Sequence, residues 1–283
     1  LEFRAALRWL WEGEGMSAKK PRYATEADLC NDFIEWVKRS PGRLHHAREV
    51  PKWTPYAETA GWDILLVGED GTQIGVQAKL KFNMKVLQQA LPECWDHWHD
   101  RGPDYRAILV PERDSGHMNL CAALGLAMFS PTGPSWMDKR VDFDPGLSME
   151  HWNGGWHYWS PRKRCELPEF VPDVQAGASA PVQLTKWKIA ALRIVATLEV
   201  RGHVTREDFR AHGVDPRRWT GPGGWLLPKS ERMQDAGQYV RGSGLDFDRQ
   251  HPDVYAKVLA EVREKLGAAP EHVKAGVLFG EAA

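Results

Sequence analysis

What the 283-residue sequence lacks narrows its class before any motif is considered. Its longest apolar runs, Ile64 to Val67 and Leu120 to Phe129, fall well short of the roughly 20 residues that cross a bilayer. A membrane protein is therefore not expected. Cysteine is sparse, with four residues at positions 30, 94, 121 and 165 and no CxxC pair. That usage suits reduced thiols in a cytoplasm and argues against a disulfide framework. Excess charge is absent too: 37 Lys and Arg stand against 38 Asp and Glu, a net of −1. The whole chain is thus no polybasic nucleic-acid binder, and phosphate contacts must come from local clusters. Neither GxSxG nor GxxxxGK[ST] occurs, which removes the serine hydrolase and P-loop readings. Gly221-Pro222-Gly223-Gly224 is broken by proline and reads as a turn. No internal repeat is present.

What remains is a globular composition, 42% hydrophobic and 27% charged, with length for two ordinary domains. Residues 1–20 are set aside as an N-terminal extension. They precede or surround Met16, where natural translation is expected to begin, and hold no signal-peptide cleavage pattern. Residues 21–147 form the first domain, 148–181 a Trp- and Pro-rich connector, 182–266 a second domain and 267–283 a tail.

The first domain reads α-β-β-β-α-β-α. Thr25 and Asp28 form a variant capping box, and Leu29, Phe33, Trp36 and Val37 recur at helical spacing until Ser40-Pro41-Gly42. Strands are expected over 43–50, over Trp62 to Val67, and over Gln73 to Leu80 after the Asp70-Gly71 turn. A helix follows from Asn83 to about Trp98, with Pro92 as a break. Next come a strand at Ala107 to Val110, a helix near 117–127, and a short strand near 128–130 or 140–143. A hairpin followed by a crossover helix implies an α/β fold with a mixed central sheet and helices on both faces.

The chemistry centres on Asp63 and, beyond thirteen intervening residues, Gln77-Ala78-Lys79. Phosphodiester hydrolysis needs oxygen ligands for a hard cation and a positive group beside the phosphate or the attacking water. Adjacent strands can bring Asp63 and Gln77 to one ion. Strand alternation puts Lys79 on the face of Gln77. Asp63…Gln77-Ala78-Lys79, with this element order over roughly residues 25–130, resembles the PD-(D/E)xK phosphodiesterase superfamily. The resemblance implies a restriction-endonuclease-like fold and a Mg²⁺-dependent nuclease, with Mn²⁺ as the substitute ion. It also implies that Asp63 ligates the metal, that Lys79 positions or activates the attacking water, and that Gln77 takes the second acidic position. Two residues depart from the motif: Trp62 stands at the proline, and Gln77 offers one neutral oxygen in place of a carboxylate. Glu26, at the start of the first helix, and Glu49, ending the first expected strand, are the acids that would complete the metal site; Glu26 is preferred. Lys81 and Lys85 are expected on the DNA backbone, and Gln88 and Gln89 face either the site or solvent.

A zinc site from Cys94, His97 and His99, with His151, His157 and Cys165, lacks an anchoring CxxC or HxxxH pair. His45 and His46 would face opposite ways in a strand. The second domain opens with an apolar helical stripe from Trp187 to Leu198, then a helix capped at Thr205 and a third from Asp215-Pro216. A hairpin follows, and a final helix runs from about Asp253 to Leu266. Between Lys186 and Arg241 eleven Lys and Arg stand against six Asp and Glu, a local net of +5. This pattern resembles a winged-helix domain, which implies duplex DNA as partner and puts Arg217 and Arg218 in or near the recognition helix, with Trp219 packing it. Two functions are expected from these features. One is a cytoplasmic metal-dependent DNA endonuclease with an accessory DNA-binding domain. The other is a catalytically weak or inactive nuclease fold that acts as a DNA-binding or regulatory module. RNA stays open as the substrate.

Overall fold

The computed structural model describes residues 22–39, 52–91, 101–132, 141–147, 156–178, 183–230 and 232–267. Its first unit holds helix α1 (Glu26–Arg39) and a six-stranded sheet in sequence order: β1 (Trp53–Thr59), β2 (Trp62–Gly68), β3 (Gln73–Ala78), β4 (Tyr105–Leu109), β5 (Ala127–Pro131) and β6 (Phe143–Asp144). β1, β2 and β3 form an antiparallel meander, β4 and β5 run parallel to β3, and β6 is antiparallel to β5. Helix α2 (Met84–Ala90) joins β3 to β4, and α3 (Ser115–Ala123) joins β4 to β5.

Alternation along the strands sorts the apolar side chains to two faces. Ile64, Leu66, Ile74, Val76, Leu109 and Phe129 pack with Leu29, Phe33, Trp36 and Val37 of α1. Leu65, Ile108, Val110 and Met128 pack on the other face with Val86, Leu87 and Ala90 of α2 and Cys121 of α3. The capping box at α1 forms as the sequence suggests: the Asp28 amide donates to Thr25 Oγ1 at 3.1 Å and the Thr25 amide to Asp28 Oδ2 at 3.0 Å. Asn83 caps α2 by accepting from the Val86 amide at 3.1 Å.

Several boundaries differ from expectation. The stretch 43–50 lies outside the described residues, and the strand that pairs with β2 is Trp53–Thr59. Pro55 hides its strand pattern, yet it is tolerated because β1 is the sheet's edge. β1 and β2 join through Ala60 (φ 56°) and Gly61 (φ 83°), the left-handed pair a tight two-residue hairpin requires. Helix α2 ends at Ala90, and 92–100 lie outside the described residues. The short strand expected near 128–130 forms as β5, and the alternative at 140–143 is met only at its end, where β6 covers Phe143–Asp144. At Gly75 a Cβ would come within 2.4 Å of the Trp62 indole, so only glycine lets that ring lie across β3.

The aromatic connector packs on the first unit. The Trp159 amide donates to the Asp104 carbonyl at 2.9 Å, and the Gln73 side chain pairs with both backbone groups of Cys165, at 3.0 and 2.8 Å. The Arg106 guanidinium lies over Trp62 and Trp159, 5.6 and 4.7 Å from their ring centres. Further on, Phe170 packs into a second core and Ala176, wholly buried, into the first.

The second unit has α4 (Lys186–Arg201), β7 (Val204–Thr205), α5 (Arg206–Ala211), α6 (Arg217–Thr220), β8 (Leu226–Pro228), β9 (Gln238–Arg241), α7 (Phe247–Gln250) and α8 (Pro252–Gly267). Its three strands form an antiparallel sheet in the order β7-β9-β8. Trp219 of α6 is fully buried among Phe209, Trp225 and Phe247 at ring separations of 5.2–5.7 Å. Gly202 (φ 80°) ends α4. The chain is thus an α/β protein with a six-stranded mixed sheet, flanking helices and a small second sheet. Among the described residues no helix is long and apolar enough to cross a membrane.

Candidate functional site

β2 and β3 pair from Val67↔Gln73 as far as Ile64↔Val76 and then part. Beyond that point the Ala78 amide donates to the side chain of Asp63, at 2.7 Å from Oδ2. The Lys79 amide goes instead to the Leu109 carbonyl at 3.0 Å, so β3 stays attached to β4 while it leaves β2. Asp63 therefore sits in the mouth between diverging strands. Its Oδ1 has no hydrogen-bond partner among the described residues.

Lys79 follows β3 directly and reaches the first turn of α1, where its Nζ lies 2.6 Å from Glu26 Oε2. The two side chains are 17% and 31% exposed, so the pair is largely shielded yet reachable from solvent. The sequence-derived trio of Asp63, Lys79 and Glu26 is brought together from three elements far apart in the chain.

A fourth group joins them. Glu58, near the end of β1, lies between the Ala57↔Ile64 and Thr59↔Trp62 pairs, the same interval that holds Asp63. Its backbone is left-handed at φ 48°, a conformation costing a non-glycine residue about 1–2 kcal/mol. Connector amides hold its carboxylate: Gly177 donates to Oε1 at 2.7 Å, and Ala178 donates as well. Local sequence gave no pointer to Glu58, because it lies on the strand that Pro55 conceals.

Burial raises the pKa of Asp63; the Ala78 amide and Lys79 oppose the rise, and the charge of Glu26 adds to it. Burial also raises Glu58, against the Gly177 amide and with help from Asp63. Cys30 is buried beside them, and desolvation together with the three acids pushes its thiol far up, so it stays protonated. The local donors are therefore hard carboxylate oxygens, which suit Mg²⁺ or Mn²⁺, and no thiolate that would favour zinc.

Gln77 is placed differently. It is 3% exposed, and its Nε2 donates to the Gly61 carbonyl at 2.8 Å in the β1–β2 turn. Among the described residues it makes no hydrogen bond to Asp63. Lys81 and Lys85 are exposed, as are Gln88 and Gln89. Arg217 and Arg218 are exposed on α6, with Asp215 3.9 Å from Arg217. Glu49, His45 and His46 lie outside the described residues, as do Cys94, His97, His99 and His151 of the zinc alternative. Among the described residues no group of three or more His, Cys, Asp or Glu side chains is placed to hold a metal ion. No protein-family model and no curated protein matches the chain.

Proposed function

We propose that this protein is a divalent-cation-dependent DNA endonuclease with a restriction-endonuclease-like first unit and a winged-helix-like, DNA-binding second unit. The observation that carries this reading is the half-buried carboxylate of Asp63, held where β2 and β3 part and within electrostatic reach of the Lys79–Glu26 pair. The element order of the first unit supports it, as does the β8–β9 hairpin that follows three helices in the second and pairs with β7.

Asp63 and Glu26 would hold a Mg²⁺ ion, with Gln77 able to offer a neutral oxygen if its amide leaves Gly61. Mg²⁺ takes one or two carboxylates, keeps several waters and leans on substrate phosphates, so a pair of acids suffices for it. When bound, the ion neutralises phosphate charge and acidifies a coordinated water. The Ala78 amide fixes Asp63 in one orientation and leaves Oδ1 directed to other partners. Lys79 stands at the mouth with its ammonium braced by Glu26, where it can donate to a phosphate oxygen or to the attacking water. On the second unit, exposed Arg217 and Arg218 would meet duplex phosphates or bases while Trp219 anchors their short helix.

Incubation of supercoiled plasmid, linear duplex and RNA with Mg²⁺ or with EDTA tests the reading. DNA cleavage in Mg²⁺ that EDTA abolishes and Asp63→Asn eliminates is expected. Equal cleavage by wild type and Asp63→Asn would remove the site. A second reading, a DNA-binding protein without catalysis, is favoured by the Gln77 amide turned to Gly61 and the lack of a three-acid group among the described residues. Duplex binding without cleavage in either metal would establish it.

A further inference from the structure

The connector touches both units within a few residues. Asp173, its side chain 7% exposed, accepts the amides of Asp253 and Val254 at 2.8 and 3.2 Å, capping α8. Its Oδ1 lies 2.9 Å from Nδ1 of His251, which is 1% exposed. Phe170 packs in the second core just before it. Val174 and Ala176 then enter the first core, and Gly177 donates to Glu58. Asp173 and Gly177 are four residues apart, a reach of at most about 14 Å.

The far end of this segment is tightly seated. Gly177 has φ 70°, and a Cβ there would come 2.9 Å from Cys30 Sγ and 3.1 Å from the backbone of Glu26. It is thus wedged against the turn of α1 that supplies the Lys79 partner while its amide holds Glu58. Glu58 needs holding, since a left-handed non-glycine backbone persists only where its surroundings impose it. An open pocket of about 170 Å³, bordered by Glu58, Leu167 and Lys186, lies between the β1–β2 turn and the start of α4. Movement of the second unit can therefore reach Glu58 through the connector.

We propose that residues 170–178 are a positioning strap through which the second unit sets Glu58, so that DNA bound on the second unit regulates the Asp63–Lys79 site. This rests on the nuclease reading above. Asp173 is the anchor at one end, Gly177 the fitting at the other, and Glu58 the side chain that carries the effect.

The test uses full-length protein. Asp173→Ala removes the His251, Asp253 and Val254 contacts without touching the site. The strap predicts faster hydrogen exchange at amides 57–62, by about threefold or more, as well as at 251–258. In Mg²⁺, kcat should fall about tenfold, with duplex affinity changed far less. Asp173→Asn, which retains a carbonyl oxygen for the amides, should restore most of it. In a Glu58→Gln background Asp173→Ala should add nothing, because both act through one group. Should Asp173→Ala fail to fold, Gly177→Ala, whose Cβ would press on Cys30 and Glu26, unseats the other end and is read by exchange at 57–62 alone. Exchange changes confined to 251–258, with kcat intact, would overturn the strap. An unchanged 57–62 segment in Gly177→Ala would do the same. If wild type cleaves nothing in Mg²⁺ but 57–62 still responds to Asp173→Ala, the nuclease reading falls, and with it the regulation of cleavage, while the mechanical link from Asp173 to Glu58 stands.

Discussion

Replacing Asp63 by asparagine should make the cation-free protein more stable while ending its activity. Asparagine keeps an oxygen for the Ala78 amide, now 2.7 Å from Oδ2, and removes a negative charge that burial penalises and Glu26 repels. Lys79 loses one attraction but keeps Glu26 at 2.6 Å. Relief of this kind at a functional site typically yields about 0.5–2 kcal/mol, and each kcal/mol moves the melting temperature of a unit this size by roughly 2–4 °C. The pH dependence has a definite sign. Because the folded-state pKa of Asp63 is raised, the folded protein binds that proton more tightly than the unfolded chain. The stability this group contributes is full below the ordinary carboxylate range and is lost as pH rises through its raised pKa. The gap between Asp63→Asn and wild type should therefore be small near pH 4 and widest at neutral pH. Calorimetry in EDTA at both pH values measures it, and added Mg²⁺ should raise the wild type alone. A variant that melts below wild type at neutral pH in EDTA would refute this electrostatic account of the mouth.

Lys79→Ala should lower turnover by about 10²–10⁴-fold with duplex affinity nearly unchanged; single-turnover cleavage of prebound DNA separates the two. Gln77→Glu sets a carboxylate oxygen against the Gly61 carbonyl that now accepts from Nε2, so in EDTA it should cost roughly 1–3 kcal/mol; an unchanged melting temperature would show that this hydrogen bond contributes little. Arg217→Ala with Arg218→Ala should leave the melting temperature alone, since Trp219 is what packs α6, and should reduce the salt slope of duplex binding by about 2. A slope equal to wild type in a salt titration would take α6 off the DNA.

Local pattern revealed the parts of the fold that local interactions determine. Thr25 and Asp28 announce α1, and the burial of Leu29, Phe33, Trp36 and Val37 follows their spacing. Branched residues bounded by Gly68 and Gly71 announce β2 and β3. β1 was not legible, because Pro55 removes a ladder donor and only position in the finished sheet makes it harmless there. For the same reason the strand pattern points to Glu49 and not to Glu58. The sequence assigns Glu26 and Lys79 to one site, but their direct contact depends on how α1 packs on the sheet, which no short window encodes. The connector was equally opaque in detail. Ala176 and Gly177 are small residues whose role is close approach, and a chain cut at Pro172 would strip Val174 and Ala176 from the first core.

The indole of Trp62 lying across Gly75 carries a consequence for how this sequence can drift. Gly75 pairs with Leu65 in the ladder, but the Trp62 ring reaches over from the same strand and fills the volume that any side chain at 75 would need. Neither can change freely alone: alanine at 75 collides with the ring, and a small residue at 62 opens a void above a bare strand and withdraws one of the two rings beneath Arg106. Descendants should therefore exchange the pair together, a small residue at 62 arriving with a side chain at 75. Trp62 is then half of a lock whose other half lies thirteen residues downstream, just ahead of Gln77 and Lys79.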